Sequence, residues 1–93
     1  MNTELNKAKT IARALINAGF AITINNGGST NEFPYTRDIT KVLPELRAAD
    51  YDVIYAQRDA YSTSFVWLVY GNGAEDLVAD FSVDLENIVG VIA

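Results

Sequence analysis

Apolar residues recur along this 93-residue chain in two rhythms, one helical and one alternating, and the rhythm changes mark the elements. Leu5, Ala8, Ala12, Leu15 and Ile16 fall on one face at helical spacing, while Lys7, Lys9 and Arg13 fall elsewhere. This predicts a first helix, capped by Thr3 or Asn2 and closed by Gly19, a residue suited to the left-handed turn after a helix. Phe20, Ile22 and Ile24 then alternate with Ala21, Thr23 and Asn25, the pattern of a strand with one buried face. Asn26-Gly27-Gly28 reads as a hairpin turn, returning through Asn31 to Tyr35 as an edge strand because Pro34 cannot donate to a ladder.

Ile39, Val42, Leu43 and Leu46 define a second amphipathic helix ending near Asp50, with Thr36, Asp38 or Thr40 as its opening residue. Pro44 fits only a first turn or a kink, which points to Thr40 as the cap or to a kinked helix. From Tyr51 onward the chain reads as a three-stranded meander. Tyr51 to Gln57 alternates, Thr63 to Tyr70 is almost continuously apolar and central, and Leu77 to Ser82 alternates again. Turn residues lie at Asp59 to Ser62 and at Gly71-Asn72-Gly73. A short last helix, capped by Ser82 or Asp84 and passing Ile88, closes the chain near Gly90. The fold class expected is α+β: an antiparallel sheet made of an N-terminal hairpin and a three-stranded meander, packed with two longer helices and a short C-terminal one. Residues 1–93 form a single domain in this reading, since a chain of this length builds one core and not two.

Which side of the meander is buried matters for function. Assigning Val53, Tyr55, Leu77, Ala79 and Phe81 to the core leaves Ile54, Ala56 and Val78 on the opposite face, beside Asp52, Arg58, Asp80 and Ser82. The central strand is apolar on both sides, so one row of Val66, Leu68 and Tyr70 or of Phe65, Trp67 and Val69 needs a second cover. That cover is a helix of the same chain, a second copy, or a foreign protein.

Composition narrows the chemistry. Hydrophobic residues make up 49% and charged residues 20%, ordinary globular usage that predicts a folded chain. With no cysteine and no histidine, disulfides, thiolate catalysis, the commonest triads and Cys/His zinc sites are excluded. The segment Met1 to Lys9 is polar, and no apolar run approaches the roughly 18 residues that span a bilayer. The expected location is therefore the cytoplasm. Net charge is −5, and its distribution is uneven. Residues 1–47 carry six basic and four acidic side chains, whereas residues 48–93 carry Arg58 alone against eight acidic ones. Such a field disfavours nucleic acid and anionic membrane and favours a basic partner, although a net charge of this size is normal for small domains and serves solubility first.

Individual motifs add little chemistry. Asp50 and Asp52, with Asp76, Asp80, Asp84 and Glu86, could supply oxygen ligands to Mg²⁺ or Ca²⁺, but without the spacing of a calcium loop they read as solvated carboxylates. Asn26-Gly27-Gly28-Ser29 lacks the Lys-Ser/Thr of a phosphate-binding loop, and Gly71-Asn72-Gly73 joins two strands, so both read as turns. Tyr35, Tyr51, Tyr55, Tyr61, Phe65 and Trp67 lack the interleaved basic residues of a nucleic-acid platform and read as aromatic core.

Ala18-Gly19-Phe20-Ala21-Ile22-Thr23-Ile24, Phe65-Val66-Trp67-Leu68-Val69-Tyr70-Gly71-Asn72 and Leu77-Val78-Ala79-Asp80-Phe81-Ser82 resemble blocks of small uncharacterised proteins encoded by tailed phages and prophages. The chain departs from them at Asn31 to Tyr35, where Pro34 interrupts the second strand. The resemblance implies a phage or prophage source, the host cytoplasm as location, and a comparable α+β layout. It implies no activity, cofactor or catalytic residue.

The expectation is thus a non-enzymatic protein-binding or accessory module, of the kind a phage uses to inhibit a host protein. Its interface would comprise Asp52, Ile54, Arg58, Val66, Leu68, Tyr70, Val78 and Asp80. An acidic nucleic-acid mimic and a structural homodimer are the alternatives. Neither cofactor nor metal is expected. The partner is a protein or a second copy, with no direct nucleic-acid or membrane contact.

Overall fold

A computed structural model describes residues 3–25, 35–47, 50–59 and 62–93 of the chain. Helix α1 (Thr3–Asn17) buries Ala8, Ile11, Ala12 and Leu15, the stripe its periodicity demands. It ends in a Schellman motif: Phe20 N–H donates to Leu15 O and Gly19 N–H to Ile16 O, with Gly19 at φ 99°. Strand β1 (Ala21–Asn25) follows at once.

The turn expected at Asn26-Gly27-Gly28 and the return strand expected from Asn31 to Tyr35 lie outside the described residues, save Tyr35, which is in no strand. Beyond them, Thr36 exchanges backbone hydrogen bonds with Ile22, so the outer edge of β1 is bridged at that point. Helix α2 (Ile39–Val42) opens on Asp38, whose side chain accepts from Thr40 N–H at 3.0 Å. Asp38 is therefore the cap rather than Thr40. At Leu43–Glu45 the chain tightens into a 3₁₀ turn around Pro44, which cannot donate to a continued α-ladder. The second helix is consequently short and does not reach Asp50.

Strands β2 (Tyr51–Asp59), β3 (Ser62–Val69) and β4 (Val78–Phe81) complete one antiparallel sheet in the order β1-β2-β3-β4. The fold is α+β, with a sheet that is a single meander across the described strands. Between β3 and β4, Gly71 and Gly73 take positive φ, and a 3₁₀ turn at Ala74–Asp76 lengthens the connection. Helix α1 holds this connection. Glu4 Oε2 accepts from Gly71 N–H at 2.8 Å and Gly73 N–H at 3.1 Å, while Lys7 Nζ donates to Ala74 O at 2.8 Å. The C-terminal turns at Val83–Leu85 and Glu86–Gly90 bury Leu85 and Val89. Ser82 makes no capping bond there; its hydroxyl instead accepts from Phe65 N–H at 2.9 Å, extending the β3–β4 pairing.

Helices and sheet share one core. Ile22, Ile24, Ile54, Ala56, Val66 and Leu68 from the strands meet Ala8, Ile11, Ala12 and Leu15 of α1, together with Val42, Leu46, Leu77, Leu85 and Val89. Burial of each isoleucine, leucine or valine side chain here stabilises the fold by about 1.5–3 kcal/mol.

Candidate interaction surface

Register decides which residues face this core. Ile24 pairs with Ile54, Ile54 with Val66 and Val66 with Phe81, so one row crosses all four strands on the helix side. Asp52, Leu68 and Val78 form the next row on that side. The interface expected from the sequence is therefore inverted. Asp52, Ile54, Val66 and Leu68 are fully buried, Tyr70 nearly so, and Val78 packs against the core. Helix α1 and the C-terminal turns cover them from within the chain. Val53 and Tyr55, assigned to the core by the same alternation, face outward. Along β4 the alternation itself fails, because Trp67 pairs with Asp80 and Leu68 with Val78, leaving Ala79 as an exposed bulge residue.

Asp52 is the residue that misled the alternation. Its Oδ2 accepts from Tyr70 hydroxyl at 2.6 Å and from Arg47 N–H at 2.7 Å. Among the described residues its Oδ1 finds no partner. Burial pushes the carboxyl of Asp52 above its ordinary range, against the pull of the Arg47 and Tyr70 hydrogen bonds. Burial and the adjacent carboxylate likewise hold the Tyr70 phenol well above its usual value, so it stays a donor. Arg47 adopts φ 59° to present its amide, and its guanidinium lies 5.5 Å over the Tyr70 ring. A buried carboxylate in this position is a structural knot joining the α2–β2 connection to the ends of β2 and β3.

Arg58 is exposed but committed elsewhere. Its guanidinium stacks 4.4 Å over Phe20 and donates to Ala18 O at 3.2 Å, while Arg37 donates to Gly19 O through Nε and Nη2 at 3.3 Å. Both satisfy carbonyls at the C-terminal end of α1, where orphan acceptors and the negative end of the helix dipole favour cations. These arginines line an open cleft of about 240 Å³ with Ala21, Gln57 and Asp59.

The other side of the sheet carries apolar side chains that keep part of their surface exposed. Asn25, Val53, Trp67 and Asp80 form a row across all four strands, flanked by Thr23, Tyr55 and Phe65 on one side and Tyr51 and Val69 on the other. Every one of these residues is partly or largely exposed, with Trp67 at 44% and Tyr51 at 36%. Tyr35 lies close to Thr63 and Tyr55, and partial burial raises its phenol above the ordinary value. Among the described residues the buried hydrophobic side chains of the helices all belong to the core on the opposite side. Of the interface residues expected from sequence, Asp80 alone stands here. Tyr51 and Tyr55, read as core, are the ones sequence reasoning missed, while Phe65 and Trp67 belong to the row it had left open for either side; the enrichment of tyrosine over aliphatic side chains was the available signal, since a phenol needs a partner when buried.

Among the described residues the remaining carboxylates do not converge. Asp84 Oδ2 accepts from Ser64 hydroxyl at 2.6 Å, Asp80 Oδ1 accepts from Phe81 N–H at 2.9 Å, and Asp52 is inside. Among the described residues no group of three carboxylates could hold a metal ion, and no helix is long and apolar enough to cross a membrane.

Fold and surface together define a small α+β domain with helices on one side of an antiparallel meander and an aromatic-rich, solvent-facing sheet on the other. No family model, curated protein or solved structure matches the chain.

Proposed function

We propose that this protein is a non-enzymatic protein-binding module that docks a foreign protein on the outer face of its sheet. The observation that carries the reading is the concentration of half-exposed Tyr51, Tyr55, Phe65 and Trp67 on one face whose centre bears no charge. Interface centres are enriched in tyrosine, tryptophan and phenylalanine and depleted of charge, which is the composition of this face. Charge selects the class of partner. The chain is at −5, so a second copy meets like charge, whereas a basic protein is attracted at long range. An accessory or inhibitory protein of phage origin, working in the host cytoplasm, is a role consistent with such a surface. The nucleic-acid mimic is the weaker alternative, because Asp52 is buried and Asp84 is tied to Ser64.

Light scattering over a concentration series, paired with capture by wild type and by Trp67→Lys, tests the reading. The expected result is a monomer of 10.2 kDa whose captured protein, identified by mass spectrometry, is lost in the folded Trp67→Lys variant. A dimer that dissociates on Trp67→Lys would give the face to a second copy and overturn the foreign-partner reading.

A further inference from the structure

The outer face has one charged residue within its aromatic rows, and that residue stands directly across the strand pair from the most exposed ring. Asp80 on β4 is in register with Trp67 on β3, a pairing that sets their Cβ atoms about 4.5–5.5 Å apart. The Asp80 carboxylate is oriented by accepting Phe81 N–H through Oδ1, and among the described residues no cation pairs with it. No lysine or arginine occupies the described strand positions of this face. We propose that Trp67 and Asp80 together receive an arginine side chain from a polypeptide partner, the guanidinium stacking on the indole while it bonds the carboxylate. The inference rests on the docking reading above and names the chemistry of the partner.

A planar guanidinium suits the site better than an ammonium. It stacks on an aromatic face with its flat side and leaves its edge N–H groups for a carboxylate, whereas lysine offers a compact, strongly hydrated charge. The chain makes half of this arrangement twice for its own purposes. Arg58 lies on Phe20 while bonding Ala18 O, and Arg47 lies on Tyr70, the ring whose hydroxyl bonds Asp52. At Trp67 the ring and the carboxylate are present and the cation is supplied from outside. The acidic second half of the chain steers a basic segment toward this edge of the sheet, with Glu75, Asp76 and Glu86 exposed in the turns flanking β4.

Trp67 is the single tryptophan, so its fluorescence reports on the site without labelling. The intact protein is titrated with capped Gly-Arg-Gly-Arg-Gly and with the same peptide carrying lysine or glutamate in place of arginine. The arginine peptide is expected to change Trp67 emission saturably and several-fold more tightly than the lysine peptide, with no response to glutamate. Asp80→Asn keeps the acceptor for Phe81 N–H and should weaken arginine binding by about three- to tenfold, with an unchanged circular dichroism spectrum. Equal responses to arginine and glutamate peptides, or indifference to Asp80→Asn, would overturn the proposal. Acrylamide quenching separates the two levels of inference. A monomer with freely quenched Trp67 and no arginine response removes the arginine site and leaves the docking surface standing. A shielded Trp67 in a dimer removes both.

Discussion

The two faces of this sheet are built from the same strands and differ in what they contain. The inner face presents isoleucine, valine, leucine and alanine, most of them at zero exposure, with one buried carboxylate held by two donors. The outer face presents tyrosine, phenylalanine and tryptophan, each retaining contact with water. Aliphatic side chains are most favourable when fully removed from water, whereas rings with a polar atom remain stable half in and half out. The inner face thus holds the fold, while the described aromatic residues of the outer one keep contact with water. Substitutions that treat the two faces alike should therefore have very different effects.

The largest contrast is expected from lysine. Leu68→Lys or Ile54→Lys places a charge among fully buried aliphatic residues and should abolish the cooperative thermal transition seen by circular dichroism, a loss of at least about 3–5 kcal/mol. Retention of a normal transition by Leu68→Lys would mean that the faces had been assigned the wrong way round. Next in size is Tyr70→Phe, which leaves Asp52 with a single donor on Oδ2 and should lower stability in urea by about 1–3 kcal/mol. Glu4→Ala removes the acceptor shared by Gly71 and Gly73 and should reduce stability by about 1–2 kcal/mol, tested by the same denaturation. Trp67→Lys on the outer face should shift stability by less than about 1 kcal/mol and leave the monomer mass unchanged.

Acidity offers a further test of the buried carboxylate. Because burial raises the pKa of Asp52 in the folded state, the fold binds this proton more tightly than the unfolded chain does. That contribution is complete below the ordinary carboxylate value and is lost as pH rises through the raised folded value. Asp52→Asn should therefore flatten the decline of stability across that window in urea denaturation at a series of pH values. An unchanged slope would mean that another group titrates there.

Much of the local structure was legible from the chain alone. The stripe of α1, the stop at Gly19, the inward alternation of Ile22 and Ile24 and the three later strands all follow from spacing and turn chemistry, within a residue or two. Two of the failures share a cause. Asp52 looked like a solvent residue because its partners, Arg47 N–H and Tyr70 hydroxyl, are assembled by the α2–β2 connection and by the far end of β3. Ala79 looked like part of a regular alternation because a bulge is defined by the neighbouring strand and leaves no mark within β4 itself.

Local propensity and period, acting over a few residues, determined that this chain forms an N-terminal helix, strands of alternating polarity and glycine-closed turns. Only the tertiary structure decided which side of the meander is inside. In β1 the contrast between Ile22 or Ile24 and Thr23 or Asn25 is unambiguous, and pairing carries that choice across the sheet, from Ile24 to Ile54 to Val66. A one-residue slip would reverse it, and the information that prevents the slip lies in hydrogen bonds between residues about thirty positions apart.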